Sequence, residues 1–184
     1  MNIKNNKRKK ESIEKIEKAF MTLLQDNELS QISVSDICKI AQLNRSTFYD
    51  NFADIFMLAD TIRKNLEVNL SELYKAEIIN GFNSNDYLKL FCHIKDNQML
   101  YKTYFKLGYD DNYKIVSYDR KLAQQHFNNR FIEYHMEFFK SGITKIIKMW
   151  LNSGCRETPE EMYNIIRSEY NGRREYSSRN KDNN

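Results

Sequence analysis

The sequence contains few residues that interrupt helices, with only 5 glycines and 1 proline among 184 residues. It also lacks the regular alternation of apolar and polar residues that marks half-buried strands. Its cysteines, Cys38, Cys92 and Cys155, are odd in number and widely spaced, which excludes a disulfide framework and favours a reducing compartment. No apolar run is long enough to span a membrane. These absences predict an all-helical cytoplasmic protein without a membrane partner.

The sequence also lacks the common motifs of enzyme active sites. It contains no HExxH motif, no glycine-rich phosphate loop and no nucleophile elbow. The histidines His93, His126 and His135 do not have metal-ligand spacing. On a helix, the adjacent side chains of Cys92 and His93 would diverge by about 100°. We therefore predict no catalytic residues, no metal site and no cofactor.

Charge is unevenly distributed, although the net charge is only +4. Basic residues precede the first acidic residue: Lys4, Lys7, Arg8, Lys9 and Lys10. Residues 1–9 have too little apolar content to pack, so they are expected to be disordered. This segment is either a solvated tail or a basic arm that contacts the DNA backbone or minor groove. The polar residues 173–184 are also expected to be disordered.

The most informative stretch is ISVSDICKIAQLNRSTFYDNF, from Ile32 to Phe52. It predicts two short helices joined by a tight turn. Ser33 can cap the first helix, and Asp36 three residues later completes a capping box. The turn is predicted at Gln42 and Leu43. The apolar face of the first helix is expected to consist of Ile37, Ile40 and Ala41.

The second helix of this stretch is expected to begin after an Asn44 cap and to run from Arg45 to about Tyr49. Phe48, followed by Phe52, is expected to face inward. The outward face would carry Arg45, Ser46, Thr47 and Tyr49. Hydrogen-bond donors on an exposed helix suit phosphates and base edges in a major groove. For Arg45 the alternative is a surface ion pair with Asp36 or Asp50, which contributes little.

From Lys10 to about Leu66, the sequence resembles the DNA-binding domain of the tetracycline-repressor (TetR) family. The RSTFY core and its trailing phenylalanine carry this resemblance. It implies a three-helix helix-turn-helix domain followed by a C-terminal helical bundle domain. The DNA-binding residues it implies are Ser33, Val34, Arg45, Ser46, Thr47, Tyr49 and Lys10. The sequence departs from the family at Gln42, where glycine is common, and at Ile55, where lysine is common.

The segment FFKSGITKIIKMWLNSGCRETPEEM resembles the C-terminal region of a TetR subgroup associated with dihydroxyacetone-kinase operons. This resemblance implies that residues 138–151 and 159–170 form the four-helix bundle of a homodimer. The domains expected on this basis are DNA-binding over 10–53, a connecting helix over 54–74 and an effector and dimerisation domain over 75–172. The other helices are expected near 10–25, 86–95, 98–107, 115–139, 143–151 and 159–170.

We therefore predict a homodimeric, sequence-specific DNA-binding transcriptional regulator, specifically a repressor. Its partner would be a near-palindromic double-stranded operator, with two recognition helices about 34–36 Å apart. A small molecule or a protein would act as effector, and the aromatic residues between 82 and 139 would either line its pocket or fill the core. The alternative is a helical protein-interaction module, whose C-terminal domain docks a protein partner while DNA binding is secondary. Ile55 and the modest net charge leave that alternative open, whereas the intact RSTFY helix argues against it.

Overall fold

The computed structural model describes residues 3–73, 87–109, 124 and 127–179, and over these residues its regular elements are all helical. This confirms the predicted all-α class. The helices are α1 (Ile3–Asp26), α2 (Val34–Ala41), α3 (Arg45–Tyr49), α4 (Ile55–Leu73), α5 (Tyr87–Asp96), α6 (Gln98–Lys106), α7 (Ile132–Asn152) and α8 (Pro159–Arg179), with a short 3-10 helix at Leu29–Gln31.

The chain forms two compact units, and each is built from separate stretches of sequence. The first unit consists of Met1–Glu72 and Met99–Tyr113, and the second of Leu73–Gln98 and Lys114–Asn184. Helix α6 therefore belongs to the first unit, although α5 belongs to the second and ends only two residues before α6 begins. The sequence predicts instead continuous segments, with a DNA-binding domain over 10–53, a connecting helix over 54–74 and a C-terminal domain over 75–172.

The core of the first unit is formed by apolar residues of α1 to α4. Its buried members include Ile16, Phe20, Leu24, Ile37, Cys38, Ala41, Phe48, Phe52, Leu58 and Ile62. Ile40 of α2, which was expected on the apolar face, is exposed, and so is Phe56 of α4. At 100° per residue, Ile37, Cys38 and Ala41 share one arc of α2, and Ile40 falls outside it. Cys38 thus occupies the buried position that was predicted for Ile40.

Helix α1 begins at Ile3 rather than near Lys10, so it includes residues 3–9, which were expected to be disordered. Lysine and arginine are good helix formers, and adding a residue to an existing helix costs far less than starting one. Helix α8 likewise continues past Asn171 and Gly172 to Arg179. One interior glycine costs only about 1 kcal/mol relative to alanine.

Helix α7 is preceded by a turn at 127–130 and continues without interruption through Ser141 and Gly142. The expected helix over 115–139 therefore does not continue through this turn. Asn128, Asn129 and Phe131 have left-handed backbone angles, and asparagine tolerates that conformation well. The parts of that prediction at 115–123 and 125–126 lie outside the described residues, as does the tail end at 180–184.

The second unit has its own aromatic core. The rings of Phe91 in α5 and Trp150 in α7 meet edge to face at 5.5 Å between centroids. Trp150 is 2% exposed, and its indole Nε1 donates a hydrogen bond of 3.1 Å to the Glu157 carbonyl. Helix α8 begins with a capping box, because Thr158 and Glu161 exchange hydrogen bonds of 2.7 and 3.1 Å. These contacts fix the start of α8.

Candidate nucleic-acid interface

Helix α2 begins with the predicted capping box. The Asp36 N–H donates to Ser33 Oγ at 3.2 Å, and the Ser33 N–H donates to Asp36 Oδ2 at 3.2 Å. The Ser33 hydroxyl also donates to this carboxylate, and these bonds lower the pKa of Asp36. Val34 is half-buried against the core, so its side chain is not an outward contact. Its backbone N–H, in the first turn, is the group that remains for a phosphate.

The turn between α2 and α3 depends on a left-handed residue. Gln42 has φ 55° and ψ 45°, and its neighbour Leu43 donates its N–H to the Cys38 carbonyl at 3.0 Å. The turn is therefore where it was predicted, and its left-handed position costs a non-glycine residue about 1 kcal/mol. Leu43 packs against the core of the first unit. The turn thereby determines the direction in which α3 leaves α2.

Helix α3 is anchored by its aromatic residues. Phe48 is 0% exposed and Phe52 is buried beside it, with ring centroids 5.7 Å apart. Tyr49 meets the Phe48 ring edge to face at 5.5 Å, yet it remains 51% exposed. The predicted inward and outward faces are therefore those observed. A helix of five residues is too short to be stable alone, so its buried rings hold it in place.

The outward face of α3 brings a guanidinium and a phenol together. Arg45 Nη2 donates to the Tyr49 hydroxyl at 3.5 Å, and this bond raises the pKa of Arg45. Within the described part of the chain, no ion pair joins Arg45 to Asp36 or Asp50. Ser46 is exposed beside Arg45, and Thr47 is half-buried. The face therefore presents a permanent cation and hydroxyl groups, which suit phosphate oxygens and base edges.

Asn44 is a candidate contact that sequence reasoning missed. It occupies the N-cap position of α3, as predicted, but its side chain makes no capping hydrogen bond. The residue is exposed, so its amide is presented beside Arg45. An asparagine amide can pair with the N6 and N7 edge of adenine. Its position directly before the outward residues of α3 is the sequence feature that could have indicated this contact.

Lys10 lies on α1, apart in sequence from the residues of α2 and α3. Among the described residues, no hydrogen bond or ion pair joins it to them. Lys10 is exposed on α1, and its Nζ is 3.9 Å from the Glu14 carboxylate. That distance and exposure indicate a weak surface pair. Lys7, Arg8 and Lys9 precede it on the same helix and are also exposed. They form a basic helical segment, defined here as residues 4–10.

The start of α4 is capped by Asp54, whose Oδ1 accepts a hydrogen bond of 2.7 Å from the Met57 N–H. Ile55 is half-buried and packs against the core of the first unit. It shares an arc of α4 with the buried Leu58, Ala59 and Ile62. The position at which the family resemblance implies a lysine is therefore part of the packing in this chain.

Two further properties concern only the described residues. No set of three or more histidine, cysteine, aspartate or glutamate side chains there could hold a metal ion. None of the helices described there combines the length and apolar character that crossing a bilayer requires.

The chain is similar to known transcriptional regulators. Residues 83–171 match a TetR-type family described as "Transcriptional regulator C-terminal region". The HTH-type dhaKLM operon transcriptional activator DhaS of Lactococcus lactis subsp. lactis (strain IL1403) is 30% identical over 130 residues, which are 65% of this chain and 64% of that protein. The chain thus spans slightly less than two thirds of that relative's length.

A solved structure supports the same fold. The dihydroxyacetone kinase operon activator DhaS is similar with a TM-score of 0.51 and 23% identity, over 88% of this chain and 95% of that one. Both relatives are described as operon activators. Over its C-terminal region the chain is thus similar to TetR-type transcriptional regulators, and its fold is similar to that of DhaS.

Proposed function

We propose that this protein regulates transcription by binding double-stranded DNA in a sequence-specific manner through α3. The observation that carries the proposal is the exposed pair of Arg45 and Tyr49 on a helix that Phe48 anchors. A regulator needs a rigid helix whose polar side chains point outward, because only such a helix can present the same donors to each base edge. Helix α3 has this construction.

The proposed roles follow from exposure and chemistry. Arg45 contacts a guanine edge or a phosphate, and the Tyr49 hydroxyl contacts a phosphate. Ser46, Thr47 and Asn44 lie at the same end of the helix and contribute hydroxyl and amide groups. The first turn of α2, from Ser33 to Val34, contacts a phosphate through its N–H groups. Lys10 and the rest of the basic helical segment interact with the DNA backbone.

The protein is proposed to act as a homodimer on a near-palindromic operator. The support is a stripe of exposed apolar side chains on α7, formed by Tyr134, Phe138 and Met149. Their spacings of four and eleven residues keep them on one helical face. Ile165 of α8 is a further exposed apolar residue. Such a face is stabilised when a second copy covers it.

Two directions of regulation have separate support. The sequence analysis predicted a repressor. The Lactococcus relative is named as an activator of the dhaKLM operon, and at 30% identity that name favours activation for this chain as well. We propose that the protein responds to a small-molecule or protein effector, without assigning the residues that bind it. A reporter placed downstream of the operator, with and without the regulator, distinguishes the two directions.

The competing candidate is a protein-interaction module in which DNA binding is secondary. The inward packing of Ile55 favours it, because this chain thereby gives up a cation near the expected duplex. Cys38, Cys92 and Cys155 form no disulfide, which suits a cytoplasmic protein under either candidate.

The deciding experiment measures binding to DNA selected by the protein from genomic fragments of its source organism. The affinity for the selected duplex should exceed that for a scrambled duplex by about a thousandfold or more. It should also decrease steeply with salt, since neutralised phosphates release counterions. Equal affinity for both duplexes would favour the protein-interaction module.

A further inference from the structure

The C-terminal end of α3 is closed by the side chain of Asn51. Its Nδ2 donates a hydrogen bond of 2.7 Å to the Thr47 carbonyl, four residues earlier in the chain. The backbone N–H of Asn51 donates instead to the Phe48 carbonyl, at 3.0 Å. In a regular α-helix that N–H would bond to Thr47. The side-chain amide therefore supplies a bond that the backbone does not make at this helix end.

The carbonyl oxygen of the same amide is buried. Asn51 as a residue is half-buried, but its Oδ1 is shielded from solvent, and no donor among the described residues lies within hydrogen-bond distance of it. Burying an acceptor without a protein donor costs free energy. The favourable contribution of this amide therefore comes from its donor, which is directed at α3.

The bond to Thr47 restrains α3 in a way that its aromatic anchor does not. The buried ring of Phe48 determines where this helix of five residues lies. A ring contact acts through rotatable side-chain bonds, whereas the Thr47 carbonyl belongs to the helix backbone. A hydrogen bond to that carbonyl thus restrains rotation of the whole helix. Groups that recognise a ligand must be held within about 10–20° of their binding geometry.

From these contacts we propose that Asn51 is a positioning residue for DNA recognition. Its bond to the Thr47 carbonyl fixes the rotation of α3, and with it the directions in which Arg45 and Tyr49 point. This rests on the proposed function, because it requires that α3 reads the operator. Asn51 acts through α3 and not by contact with DNA. Its loss should therefore reduce the preference for the selected duplex over a scrambled one, since base contacts carry that preference.

Two variants of the same shape isolate the donor. The hydroxyl of a threonine can donate to the carbonyl four residues earlier, as Thr22 and Thr61 do in this chain at 2.8 Å. Valine matches threonine in shape but has no donor. The preference of Asn51→Thr should stay within about twofold of wild type, whereas that of Asn51→Val should decrease at least about fivefold, the low end for loss of one base contact.

Asn27 provides a control at another place in the first unit. Its Nδ2 donates to the Leu23 carbonyl at 2.8 Å, which is the same kind of bond at the end of α1. Asn27→Val removes this bond without a change in α3, so the duplex preference should stay at the wild-type value. Binding to both duplexes is measured by fluorescence anisotropy, and the thermal midpoint of each variant by circular dichroism.

A wild-type preference in Asn51→Val would overturn the positioning role and leave DNA binding through α3 intact. Equal losses in Asn51→Val and Asn51→Thr would also overturn it, because the donor would then make no difference. Failure of Asn51→Val to fold, or equal losses of preference in Asn51→Val and Asn27→Val, would indicate a structural role alone and contradict the proposal. Absence of any preference in the wild type would overturn the proposed function itself, and the role of Asn51 with it.

Discussion

The Tyr49 hydroxyl accepts a hydrogen bond from the Arg45 guanidinium at 3.5 Å, across one turn of α3. At this length the bond is weak, so it orients Arg45 without holding it away from a stronger acceptor. Phe48, between them in sequence, is fully buried and holds the helix. The two outward residues can therefore be changed without loss of the fold.

Arg45→Ala should abolish specific operator binding and leave the circular dichroism spectrum unchanged. One base contact contributes about 1–3 kcal/mol, and a dimer loses two of them. Affinities for operator and scrambled duplexes are to be compared by fluorescence anisotropy. Tyr49→Phe is the matched control, since it removes only the hydroxyl and should weaken binding to both duplexes similarly. Retention of the operator preference by Arg45→Ala would show that α3 does not carry specificity.

Neutralising the basic helical segment should reduce the salt dependence of DNA binding. Replacement of Lys7, Arg8 and Lys9 by glutamine removes cations that are exposed on a helix. Each lost phosphate contact lowers the slope of log affinity against log salt by about 0.9 per subunit. Lys145→Gln, on the exposed surface of α7, should leave the slope unchanged. An unaltered slope in the first variant would indicate a solvated helix end that does not contact DNA.

Ile55→Lys should steepen the same salt dependence by about 1.8 per dimer, because it introduces the cation that the family resemblance implies at the start of α4. Ile55 is half-buried, so the lysine stem must take over its packing while the ammonium reaches solvent. The measurement is operator affinity at several salt concentrations. Wild-type salt dependence in this variant would mean that position 55 does not face the duplex.

Trp150→Ala should unfold the second unit rather than separate intact subunits. The indole is buried within its own chain against Phe91, so its removal costs about 3–5 kcal/mol of stability. Tyr134 is 78% exposed on the apolar stripe of α7, and Tyr134→Glu should weaken dimerisation while the thermal midpoint of the monomer is retained. Sedimentation and calorimetry separate the two effects. A Tyr134→Glu protein that is as dimeric as wild type at micromolar concentration would exclude this stripe from the interface.

Acid should weaken the start of α2. Hydrogen bonds from Ser33 lower the pKa of Asp36 below its usual value of 3.8. A carboxyl whose pKa is lower in the folded than in the unfolded state stabilises the fold above the unfolded pKa, and that contribution disappears as the pH decreases through the folded pKa. Between about pH 5 and about pH 2.5, the thermal midpoint of Asp36→Asn should therefore decrease less than that of the wild type. Ser33→Ala should do the same, and an unchanged pH profile in both would contradict this account of the cap.

Local chemistry explains which features could be predicted from the sequence. The caps at Ser33 and Thr158, the left-handed Gln42 and the buried Phe48 all depend on residues within a few positions of each other. The bond from Lys106 to Gln25 joins residues 81 positions apart, and no periodicity indicates it. The orientation of the Asn44 side chain also depends on geometry. The sequence alone does not distinguish an asparagine that caps a helix from one whose amide is exposed.

The two-part composition of the first unit has a consequence for protein engineering and for the evolution of regulators. A chimera that exchanges only residues 1–72 between relatives would separate α1 from the helix that contacts its end through Lys106. The transplanted residues 1–72 would then pack against an α6 from the other protein, with different apolar residues at positions 100 and 107. Recombination of new operators with new effectors should therefore succeed more often when residues 99–109 are transferred with the head.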